Sequence, residues 1–132
     1  MSSIFSKIVS GEIPSYKIAE DDEFLAFLDI NPLAKGHTLV IPKKEIDYIF
    51  DIEDDHYQKL FLFAKKVAKS IHKCVNCSKV GIAVIGLEVA HAHIHLVPIK
   101  SIYDIDFSKP KLKLSHDEFS MIAERISAKV EL

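Results

Sequence analysis

Three of the chain's seven histidines fall within five residues, in the stretch EVAHAHIHLVP from Glu88 to Pro98. His91, His93 and His95 take every second position, and Ala92, Ile94 and Leu96 follow them one by one. In an extended strand, residues i, i+2 and i+4 project from one face, about 6.6–7 Å apart. The imidazoles then share one face, and the apolar side chains share the other, where they can pack on a core. Residue types alone leave three readings open. The face can be the polar side of a half-buried strand. It can hold a metal, because neighbours in H-x-H can converge on one zinc ion. The outer two imidazoles start about 13–14 Å apart on a straight strand, however. No carboxylate follows His95 before Asp104 to complete a ligand set. The third reading is phosphoryl-group chemistry. Neutral imidazole is a good nucleophile near pH 7, and flanking imidazoles can donate to phosphate oxygens as charge develops.

The elements that must position this face can be read from the rest of the chain. At 132 residues it has the size of one domain, 1–132, with 48% hydrophobic and 27% charged residues. A net charge of −2 argues against a nucleic-acid footprint. The basic run KPKLK, Lys109 to Lys113, reads as solvated surface. No segment has the roughly 20 apolar residues that span a bilayer, and the N-terminus lacks an apolar run like a signal peptide's. A cytoplasmic protein with no membrane partner is the resulting expectation.

Ser3 to Val9 predicts a short helix, stopped by Gly11 and Pro14. YKIAE and FLAFLDI predict two strands joined at Asp21-Asp22, and HTLVIP, His37 to Pro42, a third. Tyr57, Leu60, Phe61, Ala64, Val67, Ala68 and Ile71 recur at helical spacing, which predicts a long helix from Asp54 to about His72. KVGIAVI is continuously apolar and suits a strand covered on both faces, with the triad segment as the next strand. Lys100 to Ser115 is irregular. Ser115 and Glu118 form an S-x-x-E capping box ahead of a final helix, His116 to about Ala128. The fold class expected is α+β, with a mainly antiparallel sheet of about five strands. The CVNC pair, Cys74 to Cys77, follows the long helix near the negative end of its dipole, where a thiolate is disfavoured. His72 is one nearby candidate for a zinc with it, and no fourth ligand is evident. Two ordinary thiols are the expectation.

HAHIHLV, His91 to Val97, has the form His-φ-His-φ-His-φ-φ, with φ apolar, and so resembles the signature of the histidine-triad (HIT) family of nucleotide hydrolases and transferases. The resemblance extends over SIFSKIVSGEIPSYKIAEDDEFLAFLDINPLAKGHTLVIPK and covers about Ser3 to Pro98, leaving the helical extension of about 115–128 beyond it. It implies a HIT-like α+β fold that pairs as a homodimer with continuous sheets. It implies action on the α-phosphate of nucleoside phosphoramidates or related purine nucleotidyl conjugates, without a cofactor. His93 would attack phosphorus and carry the nucleotidyl group, with His91 and His95 lining the phosphate pocket and His37 beside them. Asp29 would bind the ribose hydroxyls, with Asn31 next to it. Ile4, Phe5, Ile8, Phe27 and Ile30 would form the base slot, and Gly86, Glu88 and Val89 would border the phosphate.

The chain also departs from the family's pattern. Many relatives carry C-x-x-C where Ser3-Ile4-Phe5-Ser6 stands, and a histidine where Glu45 stands; with a triad-region histidine these hold a structural zinc. Serine is a poor zinc ligand, so no metal is expected. Leu87 replaces a glutamine, and no asparagine aligns in the shortened loop before the triad. An alternative therefore stands beside the enzyme: a nucleotide-binding or regulatory module with little turnover.

Overall fold

The computed structural model describes residues 2–132. Its elements are α1 (Ile4–Val9), β1 (Lys17–Glu20), β2 (Phe24–Leu28), β3 (Thr38–Pro42), a 3-10 turn (Ile49–Asp51), α2 (Asp54–Cys74), β4 (Lys79–Ala83), β5 (Ile94–Ile99) and α3 (His116–Lys129). The strands form one antiparallel sheet in the order β1-β2-β3-β5-β4. The architecture is α+β, as the alternating strand patterns and two long amphipathic helices require.

Alternation in the central strands divides two apolar clusters. Phe24, Ala26 and Leu28 of β2, Val40 of β3, and Ala92, Ile94 and Leu96 around β5 face the larger one. There they meet Leu60, Phe63, Ala64, Val67 and Ile71 of α2 and Phe119, Ala123 and Ile126 of α3. Leu25, Phe27, Leu39 and Ile41 face the other way and pack with Phe5 of α1. β2 and β3 are thus buried on both faces, as β-branched and aromatic runs favour. Ser3 caps α1 by accepting the Ser6 N–H, and the Ser115–Glu118 capping box closes on α3 as the sequence predicts. No helix among the described residues is long and apolar enough to cross a membrane.

Two local expectations need correction. β4 is not covered on both faces: it is an edge strand hydrogen-bonded only to β5, and Ile82 is 53% exposed. A continuous apolar run cannot distinguish a buried strand from an edge strand with a bare apolar face. The triad segment is only partly strand. β5 begins at Ile94, and the backbone before it is diverted: the Ala92 N–H reaches Ile46 O at 2.7 Å and the His91 N–H bonds Val89 O at 2.8 Å.

Candidate active site: a histidine cleft on the open sheet face

The cleft lies on the sheet face opposite α2 and α3. It has a volume of about 430 Å³. α1 supplies Ile4, Phe5 and Ile8; the end of β2 and the loop after it supply Phe27, Asp29, Ile30 and Asn31; the loop before the triad supplies Gly86, Glu88 and Val89. His37, His93 and His95 complete this set. The fold therefore brings together every expected site residue except His91.

His91 is fully buried and lies outside the cleft lining. The Pro42 carbonyl 2.8 Å from its Nε2 can only accept, so Nε2 carries the proton. Nδ1 then accepts from the Ser3 hydroxyl at 2.8 Å. Burial holds the His91 pKa below the usual imidazole value, keeping the ring neutral. Glu45 Oε1 accepts from the Ser3 N–H at 2.6 Å and from the Ser6 hydroxyl at 2.7 Å. Those two donors hold its carboxyl down to about 2. Ser3, Ser6, Glu45 and His91 thus form a closed polar clasp that ties α1 to the triad. The diversion of the chain before Ile94 is the physical reason that His91 turns to α1 rather than to the cleft.

His93 is held differently. Its Nδ1 lies 2.8 Å from the His91 carbonyl oxygen, to which it donates, so in the neutral ring Nε2 keeps its lone pair. Phe5 packs edge-on against the ring, centroids 4.9 Å apart.

His95 sits opposite Leu39 and Ala83 in the sheet. Its tautomer follows from a chain of bonds that starts at a backbone amide. The Leu33 N–H donates to His37 Nδ1 at 3.0 Å. The His37 proton is therefore on Nε2, which lies 3.0 Å from His95 Nδ1. His95 Nδ1 accepts, and its own proton sits on Nε2. Burial pushes the His37 pKa down to about 3 and that of His95 to about 4, so both rings are neutral. His95 is a neutral donor of fixed direction, the kind of group that stabilises an oxyanion without reorganising.

Asp29 and His37 flank the β2–β3 loop, where the Asp29 N–H bonds the His37 carbonyl at 3.0 Å. Gly36 makes the turn into His37 at φ +97°, and a Cβ there would meet Val75 Cγ2 at 2.9 Å, so only glycine fits. Asp29 Oδ1 accepts the Asn31 N–H at 2.9 Å, and Oδ2 stands 3.6 Å from His37 Nε2. Burial raises its pKa.

The same geometry bears on metal binding. Asp29, His37 and His95 bring ligand atoms within 4.8 Å of one another. The His37–His95 hydrogen bond, however, already uses the two nitrogens that face each other. At the clasp the donors are two hydroxyls, a carboxylate and one imidazole, with no thiolate among them. Neither donor set suits zinc. Cys74 and Cys77 are free thiols, and Cys74 Sγ donates to Arg125 O at 3.2 Å. Burial raises the Cys77 pKa.

Sequence reasoning missed Phe107 and Lys111, which also line the cleft. The Phe107 ring packs on His95 with centroids 4.7 Å apart. Both belong to the irregular stretch after β5, where no periodicity marks a face.

The profile of the HIT domain matches residues 10–102, and the chain belongs to the HIT family. The adenosine 5'-monophosphoramidase hnt1 of Schizosaccharomyces pombe is 36% identical over 133 residues, covering 99% of this chain and 100% of that protein. A HIT-like protein from Bartonella henselae, described as involved in cell-cycle regulation, superposes with a TM-score of 0.84 at 28% identity over 97% of this chain and 96% of that one. A zinc-bound histidine-triad protein from Mycobacterium smegmatis superposes at 0.83, with 28% identity over 98% and 94%.

Proposed function

We propose that the protein is a nucleotide hydrolase or transferase that attacks the α-phosphorus of nucleoside phosphoramidates, or related nucleotidyl conjugates, through a covalent nucleotidyl-His93. The observation that carries this reading is the position of His93 in the cleft wall with Nδ1 held by the His91 carbonyl, which leaves Nε2 as the nitrogen that can attack. In the first step the Nε2–P bond forms and the P–N bond of the substrate breaks, the amine leaving with a proton taken from water. In the second step water cleaves the His–P bond and regenerates the imidazole. His95 donates from Nε2 to a phosphoryl oxygen, and His37 holds it in that tautomer. Phe5, Ile8 and Phe27 give the purine an apolar slot, with Ile4 and Ile30 at its rim. Asp29 accepts from the ribose hydroxyls beside Asn31, and Gly86, Glu88 and Val89 border the phosphate. The likeness to a protein named adenosine 5'-monophosphoramidase supports this substrate class.

A second reading, a nucleotide-binding module with little turnover, draws on one feature. Leu87 is 89% exposed on the cleft rim and offers no donor to a leaving group. Intact mass after mixing with adenosine phosphoramidate separates the two. The enzyme gains an adenylyl mass that His93→Ala does not, and the variant loses at least about 10⁴-fold in turnover. Bound nucleotide without an adduct in the native protein supports the module, and near-normal turnover by His93→Ala would sink the mechanism.

The bare edge of β4, with Ile82 exposed on it, supports pairing with a second copy of the chain into a continuous sheet.

A further inference from the structure

The cleft presents a charge problem for an anionic ligand. Its lining includes two carboxylates, Asp29 and Glu88. His37 and His95 are neutral. Among the described lining residues there is one lysine and no arginine, and that lysine is Lys111. It lies beyond residue 102, where the match to the HIT domain ends.

Lys111 is placed by the segment around it rather than by a strand or helix. The Leu112 N–H bonds Pro32 O at 2.8 Å, which fastens the segment to the β2–β3 loop beside Asp29. Phe107 leans on His95 and, at 6.1 Å, on His37. The Lys111 ammonium donates to Phe107 O at 2.5 Å and to Lys109 O at 2.9 Å. An ammonium has three N–H donors, so one remains for the cleft. The two occupied partners are neutral carbonyls, so they leave its charge unneutralised. Its field reaches the cleft groups, since it draws the Asp29 pKa down against the larger effect of burial.

We propose that Lys111 is the anion-binding, specificity-determining residue of this cleft, selecting nucleotides that carry a phosphate over the uncharged nucleoside. This rests on the nucleotide reading above. A phosphate entering beside Asp29 and Glu88 meets repulsion, and Lys111 offsets it with a charge-assisted bond that adenosine cannot use. The segment 106–112 thus does more than cover His95: it brings a permanent cation to a site lined by two carboxylates and by the neutral imidazoles of His37 and His95.

Calorimetric titration of the full chain with adenosine and with adenosine monophosphate tests this. Lys111→Met should weaken monophosphate binding by about 10–100-fold and leave adenosine affinity unchanged. Lys111→Arg should keep most of the preference. The native preference should shrink as salt is raised, and that of Lys111→Met should not. The adenosine titration guards against a merely structural effect, because a displaced Phe107 wall would weaken both ligands together. Equal losses for both ligands, or a monophosphate preference as large in Lys111→Met as in the native protein, would overturn the inference while leaving the nucleotide reading intact. Native protein that binds neither ligand would defeat the nucleotide reading and this one with it.

Discussion

His91 and His95 stand at equal distance in sequence from His93, on the same side of an alternating segment, yet their surroundings have opposite character. Every polar atom of the His91 ring is used inside the protein, between Pro42 O and the Ser3 hydroxyl. His95 uses one nitrogen on His37 and turns the other, protonated, toward the cleft. The first ring is a fastening for α1, and the second is an available donor. One residue type at one spacing has been put to structural and to chemical use, and the difference lies in what the neighbouring loops bring to each end. A buried polar group with all its bonds made adds specificity to the fold. A donor held in place with a bond still to make can act on a ligand.

Substitution at the two ends should separate these uses. His95→Ala should lower kcat on a phosphoramidate by about 10²–10³-fold, the cost of one lost oxyanion donor, with a smaller loss of melting temperature than His91→Ala, since it strands one partner, the His37 N–H, rather than two. His91→Ala should leave a cavity and strand the Pro42 carbonyl and the Ser3 hydroxyl. A loss of about 2–4 kcal/mol is expected, or roughly 4 °C of melting temperature for each kcal/mol. Its kcat should fall by less than that of His95→Ala. Paired thermal melts and kinetics decide the matter. The same kcat loss at both positions, with stability intact at both, would mean that His91 serves the chemistry as well.

How much of this could be read from the chain alone differs between the two ends as well. The triad, Asp29, His37 and the apolar residues of α1 and β2 could be recognised, because they sit in or beside periodic elements and match a specific motif. The division between His91 and His95 could not. It depends on β5 starting at Ile94 and on the Ala92 N–H bonding to Ile46, a contact with no trace in local pattern. Nor could Phe107 and Lys111 be found. KPKLK looks like solvated surface by composition, and only the bond from Leu112 to Pro32 returns it to the cleft. The edge position of β4 is equally absent from the sequence pattern, because apolar continuity reports hydrophobicity and not how many neighbours a strand has. That Ser3, Ser6, Glu45 and His91 close into a clasp is a matter of geometry that no local pattern carries.

Acid should stress both ends together. Burial holds His37, His91 and His95 below the ordinary imidazole pKa near 6.5. The unfolded chain then binds protons that the folded chain refuses, so stability falls as pH drops below about 6.5. Each histidine contributes a slope of up to about 1.4 kcal/mol per pH unit. The loss continues toward the folded values, about 4 for His95 and about 3 for His37. Asp29, with its pKa raised, opposes this only in the carboxylate range, where the folded state keeps its proton better than the unfolded one. Urea melts at pH 7, 6 and 5 should therefore show a steady fall, and His91→Ala should have a shallower slope. A stability independent of pH over that range would show that these rings are charged or exposed in solution.

The smallest effect expected is none at all, and it bears on the His91 end alone. Ser3, Ser6 and Glu45 stand where the family resemblance implies two cysteines and a histidine in zinc-holding members, and here Glu45 joins both serines through one carboxylate oxygen. Ser3 also bonds His91, so the facing donors of the clasp are already engaged with one another rather than open to a cation. A chelator should leave both melting temperature and activity unchanged, and elemental analysis should find no stoichiometric zinc. The triple substitution Ser3→Cys, Ser6→Cys and Glu45→His should reverse that, because it restores soft ligands around His91 at a spacing the fold already holds. Such a variant should bind one zinc per chain and become sensitive to chelation in its melting temperature. Tightly bound zinc in the native protein, lost together with activity, would show that the two ends differ less than their hydrogen bonds imply.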